Sequence, residues 1–213
     1  MKNTLKNWKK YGYVVLMIFI VLGLFNRKIA LVAVICMLGP LMLALFNRGR
    51  FWCGNICPRG IFYDNIIVKY SPKKPVPRFF KSKIFRGVFI IFMFYMFGSG
   101  IYKNWGDSNG IGMVFYRMIV VTTIVGIGLG LVFNHRTWCN FCPMGSIAAI
   151  ISYFKKNRKS LIVKESCVSC KLCEKKCPMG IVPYDYKGDI IDHPDCIQCG
   201  QCINVCPKKC IIE

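Results

Sequence analysis

The chain has 213 residues, 54% of them hydrophobic, and a mean hydropathy of +0.43, too apolar for an ordinary soluble domain. Fourteen cysteines in so greasy a chain do not describe a small disulfide-stapled secreted fold. The net charge of +21 does not point to nucleic acid: residues 1–160 carry 23 Lys and Arg against only Asp64 and Asp107, while 161–213 balance seven with seven. The excess lies between apolar runs, where it orients membrane segments and meets anionic lipid.

Apolar runs fall at Tyr11–Phe25, Ile29–Phe46, Gly87–Ile101 and Ile111–Phe133. As one helix the first two would reach about 54 Å at about 1.5 Å per residue, against a bilayer core of roughly 30 Å. They are therefore expected to fold back as a tight helical hairpin at Asn26–Lys28. No small-residue cleavage site follows the first run, which reads as an anchor. Four spans put both termini on one side. That side collects 19 Lys and Arg and the other only Arg27, Lys28 and Lys103, so both termini are predicted to be cytoplasmic.

The membrane half repeats itself. Phe46-Asn47 leads to Trp52-Cys53 and then Cys57-Pro58-Arg59-Gly60; Phe133-Asn134 leads to Trp138-Cys139 and then Cys142-Pro143-Met144-Gly145. A hairpin followed by a cysteine turn, used twice, is the simplest reading. Polar residues 155–162 read as a linker.

Two cysteine runs stand in the tail, Cys167-x2-Cys170-x2-Cys173-x3-Cys177-Pro178 and Cys196-x2-Cys199-x2-Cys202-x3-Cys206-Pro207. Three cysteines at this spacing wrap one face of an iron–sulfur cube, and the fourth reaches the other cube. The spacing predicts two [4Fe–4S] clusters, one on Cys167, Cys170, Cys173 and Cys206 and one on Cys196, Cys199, Cys202 and Cys177. Zinc motifs pair cysteines two and two and fit this pattern poorly. Cys53, Cys57, Cys139 and Cys142 occupy equivalent places in the repeat. They are candidates for a third iron–sulfur cluster, a copper or zinc ion, reversible thiol–disulfide chemistry, or unliganded thiols in tight turns.

The tail, over residues 163–210, resembles the bacterial two-cluster ferredoxins, which implies two short β-hairpins, two short helices and low-potential one-electron transfer. With its Cys-Pro turns, nearly the whole chain resembles the NapH/NosR-type membrane ferredoxins, often called quinol dehydrogenase membrane components. In that family both turns usually hold three residues between the cysteines; here the second holds only Asn140 and Phe141, which breaks the symmetry of the ligand set.

Among lesser features, Cys36 reads as a small packed hydrophobe and Cys210 as a spare thiol. Trp52 and Trp138 read as interfacial aromatics, with packing on a cluster as the alternative. His135 and His193 lie outside the spans and cannot hold b-type haem. Glycines 126, 128 and 130 suit close helix packing. Arg117, a charge inside the fourth span, is a candidate quinone site, with Tyr102, Trp105 and Asp107 near it; snorkelling to the outer interface is the alternative.

The expected architecture is an α-helical membrane protein. Four transmembrane helices form two pseudo-repeated hairpins (1–83 and 84–154), and an α+β ferredoxin-like domain follows at 163–213. The expected place is the cytoplasmic (inner) membrane, with redox proteins and quinone or quinol as partners. The leading function is electron relay through [4Fe–4S] clusters. The rivals are a cysteine-dependent copper or disulfide reductase and a redox-sensing assembly or regulatory protein.

Overall fold

The computed structural model describes residues 2–72, 74–155 and 160–212. Lys73 and residues 156–159 of the expected linker lie outside the described residues. In chain order come α1 (Lys2–Tyr11), α2 (Tyr13–Phe25), a 3₁₀ segment Arg27–Val32 running into α3 (Ala33–Leu45), then α4 (Phe51–Asn55) and α5 (Pro58–Phe62). A π-helical turn Tyr63–Ile67, α6 (Val68–Tyr70) and α7 (Arg78–Lys81) lead to α8 (Lys83–Lys103), α9 (Ser108–Val132), α10 (Thr137–Phe141) and α11 (Pro143–Phe154). The tail has β1 (Ile162–Val163), α12 (Leu172–Lys176), a 3₁₀ turn Pro183–Tyr186, α13 (Gln201–Val205) and β2 (Ile211–Ile212).

Among the described residues, three helices are long and apolar enough to cross a membrane: Arg27–Leu45, Lys83–Lys103 and Ser108–Val132. The first apolar run differs from the expectation, because Thr4–Tyr11 and Tyr13–Phe25 meet at 49°. The bend falls at Gly12, where a Cβ would press on the Trp8 carbonyl at 2.7 Å and on Ile61 at 2.8 Å. What holds α1 aside is hydrogen bonding. Trp8 Nε1 donates to the Ile56 carbonyl at 2.9 Å and Asn65 Nδ2 donates to the Lys9 carbonyl at 2.7 Å. The N-terminal helix therefore lies against the first cysteine turn.

The chain does turn back at Asn26, whose side chain accepts from the Lys28 amide at 3.1 Å. The legs then diverge instead of forming the expected tight hairpin: α2 packs on α5 while α3 packs on α11. At the same end, Gly112 of α9 lets the Arg27 carbonyl approach its backbone, and Asp107 caps α9 by accepting from the Asn109 and Gly110 amides at 3.0 and 2.9 Å. The Asn26 turn and the α8–α9 connection thus share one end, and the cysteine turns lie at the other.

The tail departs from the two hairpins that the resemblance implied. β1 pairs antiparallel with β2 from the far end of the domain, and only isolated bridges join Ile162 to Ile190 and Val163 to Lys187. The intervening backbone is taken up by the cysteine loops, whose left-handed residues turn the chain away from extended pairing. One apolar core runs through both halves, from Leu16, Tyr63 and Trp138 to Ile197, Val163 and Ile211.

Candidate metal centres

The tail brings its eight cysteines together as two interleaved sets. Cys167, Cys170, Cys173 and Cys206 wall one void, and Cys177, Cys196, Cys199 and Cys202 wall another. Each set takes its third cysteine from a short helix, α12 or α13, and its fourth from the cap of the other helix. Cys210 also lines the first void, 3.2 Å from Cys206 sulfur to sulfur, a fifth thiol at that set.

The two loops share a backbone device. Ser169 and Lys171 have φ of 51° and 62°, and the equivalent Gln198 and Gly200 have 52° and 81°. A left-handed non-glycine residue costs on the order of 1–3 kcal/mol. The return is that alternating right- and left-handed residues turn successive N–H groups into one concavity, a form that receives anionic centres including iron–sulfur clusters. Donor set and backbone therefore fit a cubane at each void. Among the described residues no three His, Cys, Asp or Glu side chains converge on a single-ion site.

In the membrane half, Cys53, Cys57, Cys139 and Cys142 all line one cavity of about 210 Å³, together with Arg50, Arg59 and Arg136 and mostly apolar side chains of α2, α3 and α9. Cys36, expected to be merely packed, lines it too. The two cysteine turns are locked by a reciprocal exchange of arginines. Arg136 Nη1 donates to the Cys53 carbonyl at 2.8 Å and lies 3.5 Å from the Cys139 sulfur. Arg50 Nη2 donates to the Cys139 carbonyl at 2.5 Å. Both guanidiniums are fully buried, and each crosses into the other repeat.

This exchange explains the glycine in each Cys-Pro-x-Gly turn. A Cβ on Gly60 would stand 2.6 Å from Arg136 Nη1, and one on Gly145 would stand 2.6 Å from Arg50 Nη2. Arginine tips usually swing aside, but these are held by several hydrogen bonds and cannot.

Each buried cation has a carboxylate. Asp64 accepts from Arg136 Nε at 2.8 Å and from Nη2 at 2.5 Å, with His135 Nε2 at 3.4 Å. Burial alone would raise the Asp64 pKa, but the Arg136 charge and the hydrogen bonds from His135 and Arg136 outweigh it and hold it at about 2. Asp195 accepts from Arg50 Nη1 at 2.9 Å and from both terminal nitrogens of Arg86 at 2.9 and 3.0 Å. Against the cost of burial, these cations hold its pKa below the usual carboxylate range.

Asp195 precedes Cys196, so the second tail loop is fastened to the membrane half beside its own cysteines. The Ile197 carbonyl seats on Gly54, between Cys53 and Cys57. Asn55 Nδ2 donates to the Gln198 carbonyl at 3.1 Å, Gln198 Nε2 to the Arg48 carbonyl at 3.2 Å, and Lys9 Nζ to the Cys199 carbonyl at 3.4 Å.

Other candidates fall elsewhere. Arg117 is exposed on α9 and does not line the cavity. Tyr102 and Trp105 are exposed, and Asp107 is occupied as a helix cap. The interfacial reading of the tryptophans is corrected: Trp138 is buried among Phe89 and Phe141, and the Trp52 ring lies over Gly39 so closely that a Cβ there would stand 2.6 Å from it. Gly126 and Gly130 are close-packed as expected, against Tyr63 and Ile67, whereas Gly128 meets nothing. Sequence reasoning missed Arg50, Arg86, Arg136, Asp64 and Asp195. The available signal was an arginine two residues before each Trp-Cys, in a stretch with almost no acids.

Comparisons with known proteins follow the same division. A family described as "4Fe-4S binding domain" matches twice, at residues 29–77 and 115–160, one match per cysteine turn. A "4Fe-4S dicluster domain" matches residues 166–211. Two uncharacterized proteins of Methanocaldococcus jannaschii are 29% identical over 76% of this chain and 63% of theirs, and 28% identical over 91% and 81%. The chain thus spans just under two thirds of the first of them. The ferredoxin-type protein NapH of Haemophilus influenzae is 25% identical over 81% of this chain and 66% of its own. No solved structure matches.

Proposed function

Because the chain belongs to the NapH-type 4Fe–4S ferredoxin family, we propose that it relays electrons at the membrane surface between a partner and a lipid-soluble donor or acceptor. The route runs through the two cysteine sets of the tail to a third centre held by Cys53, Cys57, Cys139 and Cys142. The observation that carries this reading is the seat of the Cys196–Cys199 loop on the Cys53–Cys57 turn, secured at Asp195 and Gly54. Iron–sulfur cubes supply reversible one-electron storage without making or breaking bonds.

The chain's own residues do the rest. The interleaved cysteines would hold two clusters side by side, and the left-handed residues give the loops a curl of the kind that receives anionic centres. Arg50 and Arg136 bring two buried cations to the membrane set, offset in part by Asp195 and Asp64. Buried charge of that kind is costly unless paired; Asp195, shared with Arg86, and Asp64 supply that pairing, and an anionic thiolate-ligated centre in the cavity would add to it. The largely apolar lining of the cavity supports a quinone ring bound there in this proposal.

Counting the bent Thr4–Phe25 pair as one crossing gives four spans. The Asn26 turn and the α8–α9 connection then lie outside, and the lysine-rich N-terminus, the cysteine turns and the tail lie on the cytoplasmic face.

Iron and acid-labile sulfide quantification with EPR on anaerobically purified protein tests the third centre. About twelve irons per chain are expected, falling to about eight in Cys53→Ser/Cys142→Ser while the tail signals persist. About eight in the unaltered protein would leave the membrane cysteines to thiol or single-metal reduction chemistry instead.

A further inference from the structure

The two tail sets face different surroundings. The hydrogen bonds and ion pairs that join tail to membrane half end on Met179, Asp195, Gln198 and Cys199, around the second set. Among the described residues, the loop carrying Cys167, Cys170 and Cys173 takes part in none of these bonds. Cys170 is exposed, and the adjacent Val168 and Leu172 are 62% and 40% exposed. Both line the first void, together with Pro207 and Lys208.

Apolar side chains in the open beside a redox site, with charge around them, are the anatomy of a docking patch. Here the exposed charge is mostly positive, with Glu165 the one exposed acid just before the loop. Lys171 lies between Cys170 and Leu172, and Lys208 and Lys209 follow Pro207; all three are exposed. Lys175 and Lys176 continue the basic surface along the last turn of α12. The acid on that helix, Glu174, accepts from the Tyr184 hydroxyl at 3.0 Å. Whole-segment charge balance hides this polarity, because the tail's Asp185, Asp189, Asp192 and Asp195 all lie in the stretch leading to the second set.

We propose that the Cys167–Cys173 face is the port of the relay, where a small acidic one-electron carrier protein docks over Val168, Cys170 and Leu172 inside a rim of Lys171, Lys208 and Lys209. In the encounter one electron crosses between the carrier and the iron held by Cys167, Cys170, Cys173 and Cys206. One centre is oxidised as the other is reduced, and no bond or proton changes hands. A patch of this size suits the weak, fast encounters of electron transfer, which bury less than about 1,200 Å². Rim lysines steer such a partner and act mainly on the association rate. The proposal rests on the tail holding clusters and is independent of any centre at the membrane cysteines.

The test uses the full chain, iron-loaded under anaerobic conditions, in nanodiscs of phosphatidylcholine. The probe is a plant-type acidic [2Fe–2S] ferredoxin, and binding is read by biolayer interferometry at low and high salt. The protein should bind it in a salt-sensitive manner. Lys171→Glu/Lys208→Glu/Lys209→Glu should weaken binding about tenfold or more, chiefly in the on-rate. The matching triple Lys→Arg variant should bind as the unaltered chain does. Iron content and cluster absorbance certify that each variant is loaded. Equal affinity of the Glu variant would overturn the proposal, as would an equal loss from Lys28→Glu/Lys103→Glu at the opposite end. So would protection of Lys171, Lys208 and Lys209 from acetylation in partner-free phosphatidylglycerol discs, which would assign this face to lipid.

Discussion

Arg50 lies 2.9 Å from Asp195, and this contact joins the membrane half to the tail at the residue before a cysteine. The guanidinium is fully buried, and Asp195 also takes a two-pronged bond from Arg86. Removing the carboxylate leaves a buried cation unpaired, which costs about 3–5 kcal/mol. Asp195→Asn is therefore expected to loosen the docked loop more than the domain itself. Hydrogen exchange should rise at the amides of residues 195–199 while β1 and β2 keep their protection. Unchanged exchange there would show that the carboxylate is not the fastening.

The glycines of the two Cys-Pro-x-Gly turns make a matched pair. Gly60→Ala and Gly145→Ala each put a methyl group 2.6 Å from an arginine nitrogen of the opposite repeat. Overpacking a fixed site typically costs about 1–3 kcal/mol. Both variants should melt at lower temperature and lose iron from the membrane set before the tail. A methyl group at Gly128, which meets nothing, should be silent in both assays.

Asp64 gives the pH dependence. Its folded pKa of about 2 lies below the ordinary carboxylate value, so its contribution to stability is full above about pH 4 and is lost as pH falls through about 2. Each unit of such a shift corresponds to about 1.4 kcal/mol. In detergent, the melting temperature of the unaltered protein should fall between about pH 4 and pH 2 by more than that of Asp64→Asn, which lacks the titrating group and starts lower. Parallel curves would remove Asp64 from the account.

How much of this was legible in the residues depends on range. The eight tail cysteines are local signals: their spacing alone predicts two interleaved ligand groups, and the same residues line two separate voids. The repeat placed Cys53, Cys57, Cys139 and Cys142 together for the same reason, since a pseudo-symmetric pair of turns must face itself. The arginines were misjudged because charge counting treats every loop cation as solvated. Arg50 and Arg136 instead reach across the repeat to carbonyls 89 and 83 residues away, and no local pattern announces that. The bend at Gly12 and the spread between α2 and α3 also escaped, because each is decided by what α5 and α11 offer as packing partners.

Gly54 offers the cleanest separation of docking from assembly. The carbonyl of Ile197 approaches its Cα so closely that any side chain would strike backbone, which cannot swing away. Gly54→Ala must therefore lift the Cys196–Cys199 loop or distort the Cys53–Cys57 turn. Neither change removes a cysteine, so iron content should stay at the unaltered level. What should change is communication: if the proposed membrane centre is present, its magnetic coupling to the second tail centre should weaken in EPR, and reduction of the tail by a quinol analogue should slow at least about tenfold. Loss of iron alongside coupling would mean that the contact builds the sites, and full coupling with full iron would remove the Gly54 seat from the electron path.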